Sequence, residues 1–503
     1  MSFDRYNLTE GGYLREMKYS KEQIINENTE FLEFIKKSPT AFQTVETISE
    51  MLEKSGFSQK RETEYGEWQK SENVHNVGGH GAKDDTCRTS GAEKGGAIKG
   101  YVIRGGSSLI AFYVPEKCAL KGFKLVCAHT DSPMFKFKEN GEYEGAGGSL
   151  KINVEKYGGM LAETWFDRPL SAAGRIVTER GEKLESVLVN LKKPYFVIPN
   201  LAVHMSRQSG GNDKKTLSIQ NICQPIAADE GIYALIEKET GISRGEILGS
   251  DLYLYNAQEG CIMGDSMVCA PRIDDLQCVF GALKGFLASI SEEQKVGSES
   301  EVQGSRENAG SESKMQGVRE NTSYIRIFAV FDNEEVGSLS RQGAASDFLP
   351  SVLRELAEIQ GASQSDFRRM LANSFMISAD NAHAVHPNFP EKADISNRPR
   401  INGGIVIKYH GGQKYTTDAV TGAHIKRLCK AADIPYQIYY NNSDIAGGST
   451  LGNLVMANLS VKAADVGFAQ LAMHSAYETA GAWDTLYMSG LIEKFMGEEG
   501  DFD

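Results

Sequence analysis

Three short apolar runs, Lys124–Ala128, Tyr324–Phe331 and Phe375–Ser378, each give way at once to a segment carrying acidic or histidine side chains. The runs are rich in Val, Ile and Phe, as expected of buried strands. The segments that follow are AHTDSP (Ala128–Pro133), DNEEVG (Asp332–Gly337) and SADNAHAVHPN (Ser378–Asn388). Open α/β sheets build their sites in the loops leaving the carboxyl ends of the strands. Carboxylates and imidazoles gathered there with no surplus of Lys or Arg would repel one another without a cation. A bound metal cluster is the expectation.

The 503 residues are enough for two or more domains. A formal net charge of −13 and a pI near 5.4 argue against nucleic acid or an anionic membrane as partner. No uninterrupted apolar run approaches the roughly 18 residues of a membrane span. The first 25 residues have no apolar core of a secretory signal, so the cytoplasm is the expected compartment. Eight cysteines form no C-x-x-C pair, and buried free thiols in a reducing compartment are the expected reading.

Two stretches read as solvated insertions. Glu72–Gly100 is dominated by small, polar and charged residues and includes His75 and His80, which we read as loop residues. Glu292–Thr322 has no aromatic before Thr322, and its GSESEVQGSREN recurs as GSESKMQGVREN. That repeat is too short and polar to bury a core. Between Phe135 and Met263 the pattern becomes β-rich, with one helix at Asp229–Glu239; from Gly264 onward strands alternate with helices. The expected fold is α/β: a mostly parallel sheet flanked by helices over residues 1–134 and 264–503, with a β-rich domain inserted at 135–263 and surface insertions at 72–100 and 292–322.

Candidate ligands fall at element ends. His129 with Asp131 suits a ligand and the carboxylate that orients it. Asp274 and Asp275 precede a helix whose apolar positions, Leu276, Val279, Phe280, Leu283, Phe286, Leu287 and Ile290, follow a 3.6-residue period. One of the two acids can cap that helix and leave the other free. Glu334 and Glu335 diverge, so that one can bind metal while its neighbour handles a proton. Asp380, His383 and His386 follow the next strand, and His474 follows Val466–Met473. This N/O set suits zinc or a neighbouring divalent ion such as Co or Mn. Zincin, nucleophile-elbow, P-loop and dinucleotide motifs are absent from the sequence. In GGSTLG, Gly448 and Ser449 form either a backbone cradle for a substrate oxygen or an ordinary turn.

AHTDSP, FDRPLSAAGR, IPNLAVHMSR, APRIDD, DNEEVGS, SADNAHAVHPN and LAMHS occur in this order. The sequence thereby resembles the M18 metalloaminopeptidases from about Asn28 to Gly490. The resemblance implies a two-zinc site in which Asp274 bridges, with His129 and Asp380 on one metal and Glu335 and His474 on the other. It also implies Glu334 as general base and Asp131 as support for the histidine. His204 is implied to enter a neighbouring subunit's site, the β-rich domain to dimerise, and dimers to build a homododecamer. Lys408 matches a lysine able to pair with an acidic substrate side chain, so Asp or Glu at the peptide N-terminus is one expected preference; solvation of a strand edge is the other reading of Lys408. Asp275 departs from the Asn common in the family. Rival readings are a dinuclear carboxypeptidase or deacylase, and an inactive self-assembling scaffold.

Overall fold

In this computed structural model the described residues are 6–8, 14–16, 18–68, 97–116, 119–206, 217–304, 322–498, 500 and 502. A nine-stranded mixed sheet organises the larger part of the chain. Its order is Tyr436–Tyr439, Ile405–Lys408, Lys462–Gly467, Phe375–Ala379, Ala119–His129, Thr322–Phe331, Ser108–Val114, Ile98–Arg104 and Ser58–Lys60. The strands from Lys462–Gly467 to Thr322–Phe331 are parallel neighbours; antiparallel pairings flank them. Their Val, Ile and Phe residues are buried on both faces, as central parallel strands require.

Helices cover both faces. On one, Ile273–Gly304 sinks Leu276, Val279, Phe280, Leu283, Phe286 and Ile290 into the core, the stripe its periodicity announced. Beside it packs Lys21–Lys37, started by a Ser20/Gln23 capping box and burying Phe31, Phe34 and Ile35. On the other face, Phe348–Glu358, Gln364–Ala372 and Leu451–Leu459 bury Phe348, Val352, Leu356, Met370 and Val455. Truncating a buried aromatic such as Phe280 to Ala would cost about 3–5 kcal/mol.

Seven strands lying between Met134 and Asn256 form a second sheet, all antiparallel. Gly249–Asn256 pairs with both Met134–Glu144 and Leu170–Arg180, which closes the sheet on itself around Phe135, Trp165, Leu170, Phe196 and Leu254. At Gly174 (φ 144°) a Cβ would lie 2.0 Å from the Asp251 carbonyl oxygen, so only glycine permits this closure. A third, five-stranded sheet includes the hairpin of Ala469–Leu471 and Glu478–Gly481.

Two expectations need correction. The stretch from Glu72 to Gly100 is not solvated loop to its end, because a strand begins at Ile98 and pairs with Ser108–Val114; His75 and His80 lie outside the described residues. Nor does the second insertion begin as loop: the helix from Ile273 continues to Gly304. Its Glu, Gln and Lys residues are good helix formers, although polar composition alone suggested loop. Residues 305–321 lie outside the described chain. Among the described residues Cys127, Cys223, Cys261, Cys269, Cys278 and Cys429 are free thiols.

Candidate metal centre

The central strands deliver the candidate side chains together at their carboxyl ends. His129 ends its strand, Asp332 to Glu335 follow the neighbouring strand, and Asp380 follows the strand on the other side. Asp274 and Asp275 have non-helical backbone at the mouth of their helix, which leaves Asp274 turned into the site rather than capping. His474 arrives from the hairpin loop between Ala469–Leu471 and Glu478–Gly481, at φ 67°.

The ligating atoms fall into three groups, each within 4.8 Å: His129, Asp274, Asp275 and Asp380; His129, Glu334 and Glu335; and Asp274, Glu335 and His474. Asp274 joins two of them. Its Oδ1 lies 3.5 Å from His129 Nε2, and its Oδ2 lies 3.3 Å from His474 Nε2. Glu335 Oε2 is 3.4 Å from the same His474 nitrogen. On the far side of each ring, Nδ1 faces a carbonyl: His129 donates to Asp131 at 3.0 Å and His474 to Gly159 at 2.8 Å. A carbonyl can only accept, so Nδ1 carries a proton. Each Nε2 faces carboxylate oxygens, which against the effect of burial raise His129 well above the usual imidazole range and His474 to about 10, so both rings hold a second proton there. Asp274 Oδ1, Asp275 Oδ1 and Glu335 Oε1 are buried and accept no hydrogen bond from the described residues. Carboxylate oxygens crowded around two Nε2 atoms fit divalent cations, which would take the place of the Nε2 protons.

The electrostatics agree. Burial raises the Glu334 carboxyl to about 8, helped by Asp380, Asp131 and Asp274. Burial likewise lifts Glu335 and Asp275 well above the carboxylate range, and raises Asp380 against the pull of Lys408. Only Asp274 goes down: burial opposes, but His129 and His474 together outweigh it. Buried like charges of this kind mark functional sites.

Asp131 organises the loop that bears the glutamates. Its oxygens accept the backbone N–H of Glu334 and of Glu335, both at 3.1 Å, and its Oδ1 lies 3.5 Å from His129 Nδ1. Glu478, missed in the sequence, is a second organiser. Its carboxylate accepts the Asp274 N–H at 3.0 Å and the His474 N–H at 2.7 Å, so one side chain fixes the spacing of two candidate ligands. Its place four residues after His474 carries no signal, because the contact to Asp274 is long-range.

Other candidates lie elsewhere. Lys408 is not at a solvated strand edge: it is 2 % exposed, and its ammonium donates to the Asp380 and Asn381 carbonyls at 2.7 and 3.1 Å, with Asp380 Oδ2 at 3.4 Å. Three oxygens take up its three donors. His204 is outside the cluster, on the exposed turn Val203–Ser206 beside exposed Leu201, Val203 and Met205. Gly448 and Ser449 are exposed in the loop before the helix Leu451–Leu459. Their neighbour Gly447 lines a cavity of about 560 Å³ with His383, Phe389, Tyr439, Ile445, Leu471 and others; Ala472, on its wall, is two residues before His474. That volume is within the ~300–1,000 Å³ usual for small-molecule sites.

Comparison with known proteins adds to this geometry. The profile of the family Aminopeptidase I zinc metalloprotease (M18) matches residues 90–321 and 311–496. A probable M18 family aminopeptidase 2 of Clostridium novyi is 37% identical over 478 residues, covering 93% of this chain and 97% of the relative. Its namesake from Pseudomonas aeruginosa (strain UCBPP-PA14) is 33% identical over 481 residues, covering 93% and 97%. Among solved structures, that of prApe1 superposes with a TM-score of 0.78 at 26% identity, covering 94% of this chain and 95% of the other. The S. cerevisiae mApe1 dodecamer superposes with a TM-score of 0.72 at 25% identity, covering 94% and 97%.

Proposed function

The chain belongs to the M18 family of zinc metalloaminopeptidases, and from that premise we propose that it removes N-terminal residues from peptides at a dinuclear zinc site centred on Asp274. The observation that carries this reading is the division of the Asp274 oxygens between His129 and His474. His129 and Asp380 would hold one zinc, Glu335 and His474 the other, and Asp274 both; Co or Mn suits the same donors. Bound there, the metals would supply the charge that polarises a carbonyl and lowers the pKa of water toward neutrality.

The chain's own residues supply the rest. Glu334 takes the proton of the attacking water and passes it to the leaving amine, a role suited to a buried carboxylate beside, rather than among, the proposed ligands. Asp131 holds the Glu334–Glu335 backbone and the His129 ring in place. Lys408 fixes Asp380, so a preference for Asp or Glu cannot rest on a free Lys408 ammonium; the neighbouring cavity is the place where the residue preference is set.

His204 of the partner subunit would hydrogen-bond the oxyanion that develops on the substrate. The exposed apolar residues around it suit a surface that a second copy covers. The closed sheet of residues 134–256 is then the dimerisation domain, and dimers would assemble into the dodecamer stated for mApe1. No helix among the described residues is long and apolar enough to cross a membrane. Paired peptides with a free or an acetylated N-terminus test the reaction class. Cleavage of the free form alone is expected; cleavage of the blocked form would favour a deacylase or carboxypeptidase.

A further inference from the structure

Three consecutive residues at the end of one strand of the closed sheet, Tyr157, Gly158 and Gly159, each touch a different part of the metal centre. The Tyr157 hydroxyl donates to Asp131 Oδ2 at 2.6 Å and accepts from Asn333 Nδ2 at 3.0 Å. Asn333, at φ 65°, opens the turn that carries Glu334 and Glu335, and its own Oδ1 is held by Ser340 and Gln342. Gly158 lies against the next residue: a Cβ there would be 3.0 Å from Glu335 Cβ, and its φ of 76° favours glycine besides. Gly159 supplies the carbonyl that accepts the His474 Nδ1 proton. The chain continues the contact two residues later, where the Leu161 N–H donates to the His474 carbonyl at 3.0 Å.

The two histidines are therefore oriented by the same short segment. His129 is reached through Asp131, and His474 directly. We propose that Tyr157–Gly159 is a positioning element through which the closed sheet sets the angle of both histidines and the height of the Glu334–Glu335 turn. The proposal rests on the metal reading above and adds that the ligand geometry is imposed from the inserted sheet as well as from the main one. Tyr157 is a positioning residue. It reaches the ligands through Asp131, and its hydroxyl is the only atom that Tyr157→Phe removes. Loss of a hydrogen-bond partner behind a metal ligand commonly lowers metal affinity or activity about 10–100-fold.

The test measures zinc affinity of the metal-free full-length protein by competition with a chromophoric chelator, and then kcat and KM at saturating zinc. Tyr157→Phe should bind zinc at least about tenfold more weakly and lower kcat with KM nearly unchanged. Tyr143→Phe, an exposed tyrosine on the adjoining strand, should match wild type. Gly158→Ala, which presses on Glu335, should also weaken zinc. Wild-type affinity and kcat in Tyr157→Phe would overturn the proposal while leaving the metal reading intact; a wild-type protein that binds no zinc would overturn both. A metal-free melting temperature of Tyr157→Phe that falls in step with its affinity would assign the tyrosine to folding and overturn the proposal as well.

Discussion

Lys408 holds Asp380 from behind: its Nζ donates to the Asp380 carbonyl at 2.7 Å and stands 3.4 Å from the same residue's Oδ2. A lysine so occupied acts on a candidate ligand and only through it on substrate. Lys408→Met should therefore lower kcat/KM for aspartyl and leucyl substrates alike, by about tenfold or more, and lower metal occupancy with it. A loss confined to aspartyl substrates would return Lys408 to the substrate pocket.

The adjacent glutamates should fail in different ways. Glu335→Ala removes an oxygen next to His474 and Asp274, so elemental analysis should find less metal. Glu334→Gln should keep its metal while kcat falls by about 10²–10⁴. Near-normal turnover in Glu334→Gln would remove it as the base.

A site shared between subunits can be restored by mixing. His204→Ala and Glu334→Gln, each inactive alone, should regain activity when co-expressed. In a mixed dimer one site keeps both residues and the other has neither. With random pairing about a quarter of wild-type activity should return, since a two-fold interface uses the same patch twice. Mixed dimers, verified by differential tags, that stay inactive would show that His204 does not act across the interface.

Stability should carry a separate pH signature at His424. Burial, then Arg427, Lys124 and Lys462, lowers this imidazole from 6.5 to about 4. Arg427 donates to its Nδ1 at 3.0 Å, so Nε2 carries the hydrogen of the neutral ring and meets no acceptor among the described residues. Between those values the unfolded chain binds a proton that the folded chain refuses. Stability from this group is thus complete above about pH 6.5 and is lost as the pH falls toward 4. Denaturant midpoints of His424→Phe should fall less steeply over that window than those of wild type; parallel curves would contradict the assignment.

Much of the centre was legible because it is written at strand ends. His129, Asp332 to Glu335 and Asp380 follow apolar runs that parallel pairing brings side by side, and the helix after Asp275 shows its period plainly. What escaped was contact across the fold. Glu478 meets Asp274 over 204 positions, and Tyr157 meets Asp131 from a different sheet. Neither has a local pattern, and YGG after a strand reads as a turn. Lys408 lacks a local signal for the same reason: a lysine ending a strand suggests solvent or an acidic substrate group, whereas its ammonium meets the carbonyls of Asp380 and Asn381. The polar run after Ile290 hides its helix because its composition is that of a solvated loop while its Glu, Gln and Lys residues favour helix.

The most direct measurement is a zinc titration of chelator-stripped protein, followed at each step by elemental analysis and by hydrolysis of an aminoacyl substrate with a free amine. The account requires an inactive metal-free chain whose activity returns as metal fills the Asp274 centre and levels off near two equivalents per chain. Full activity in protein shown by elemental analysis to be metal-free would contradict it.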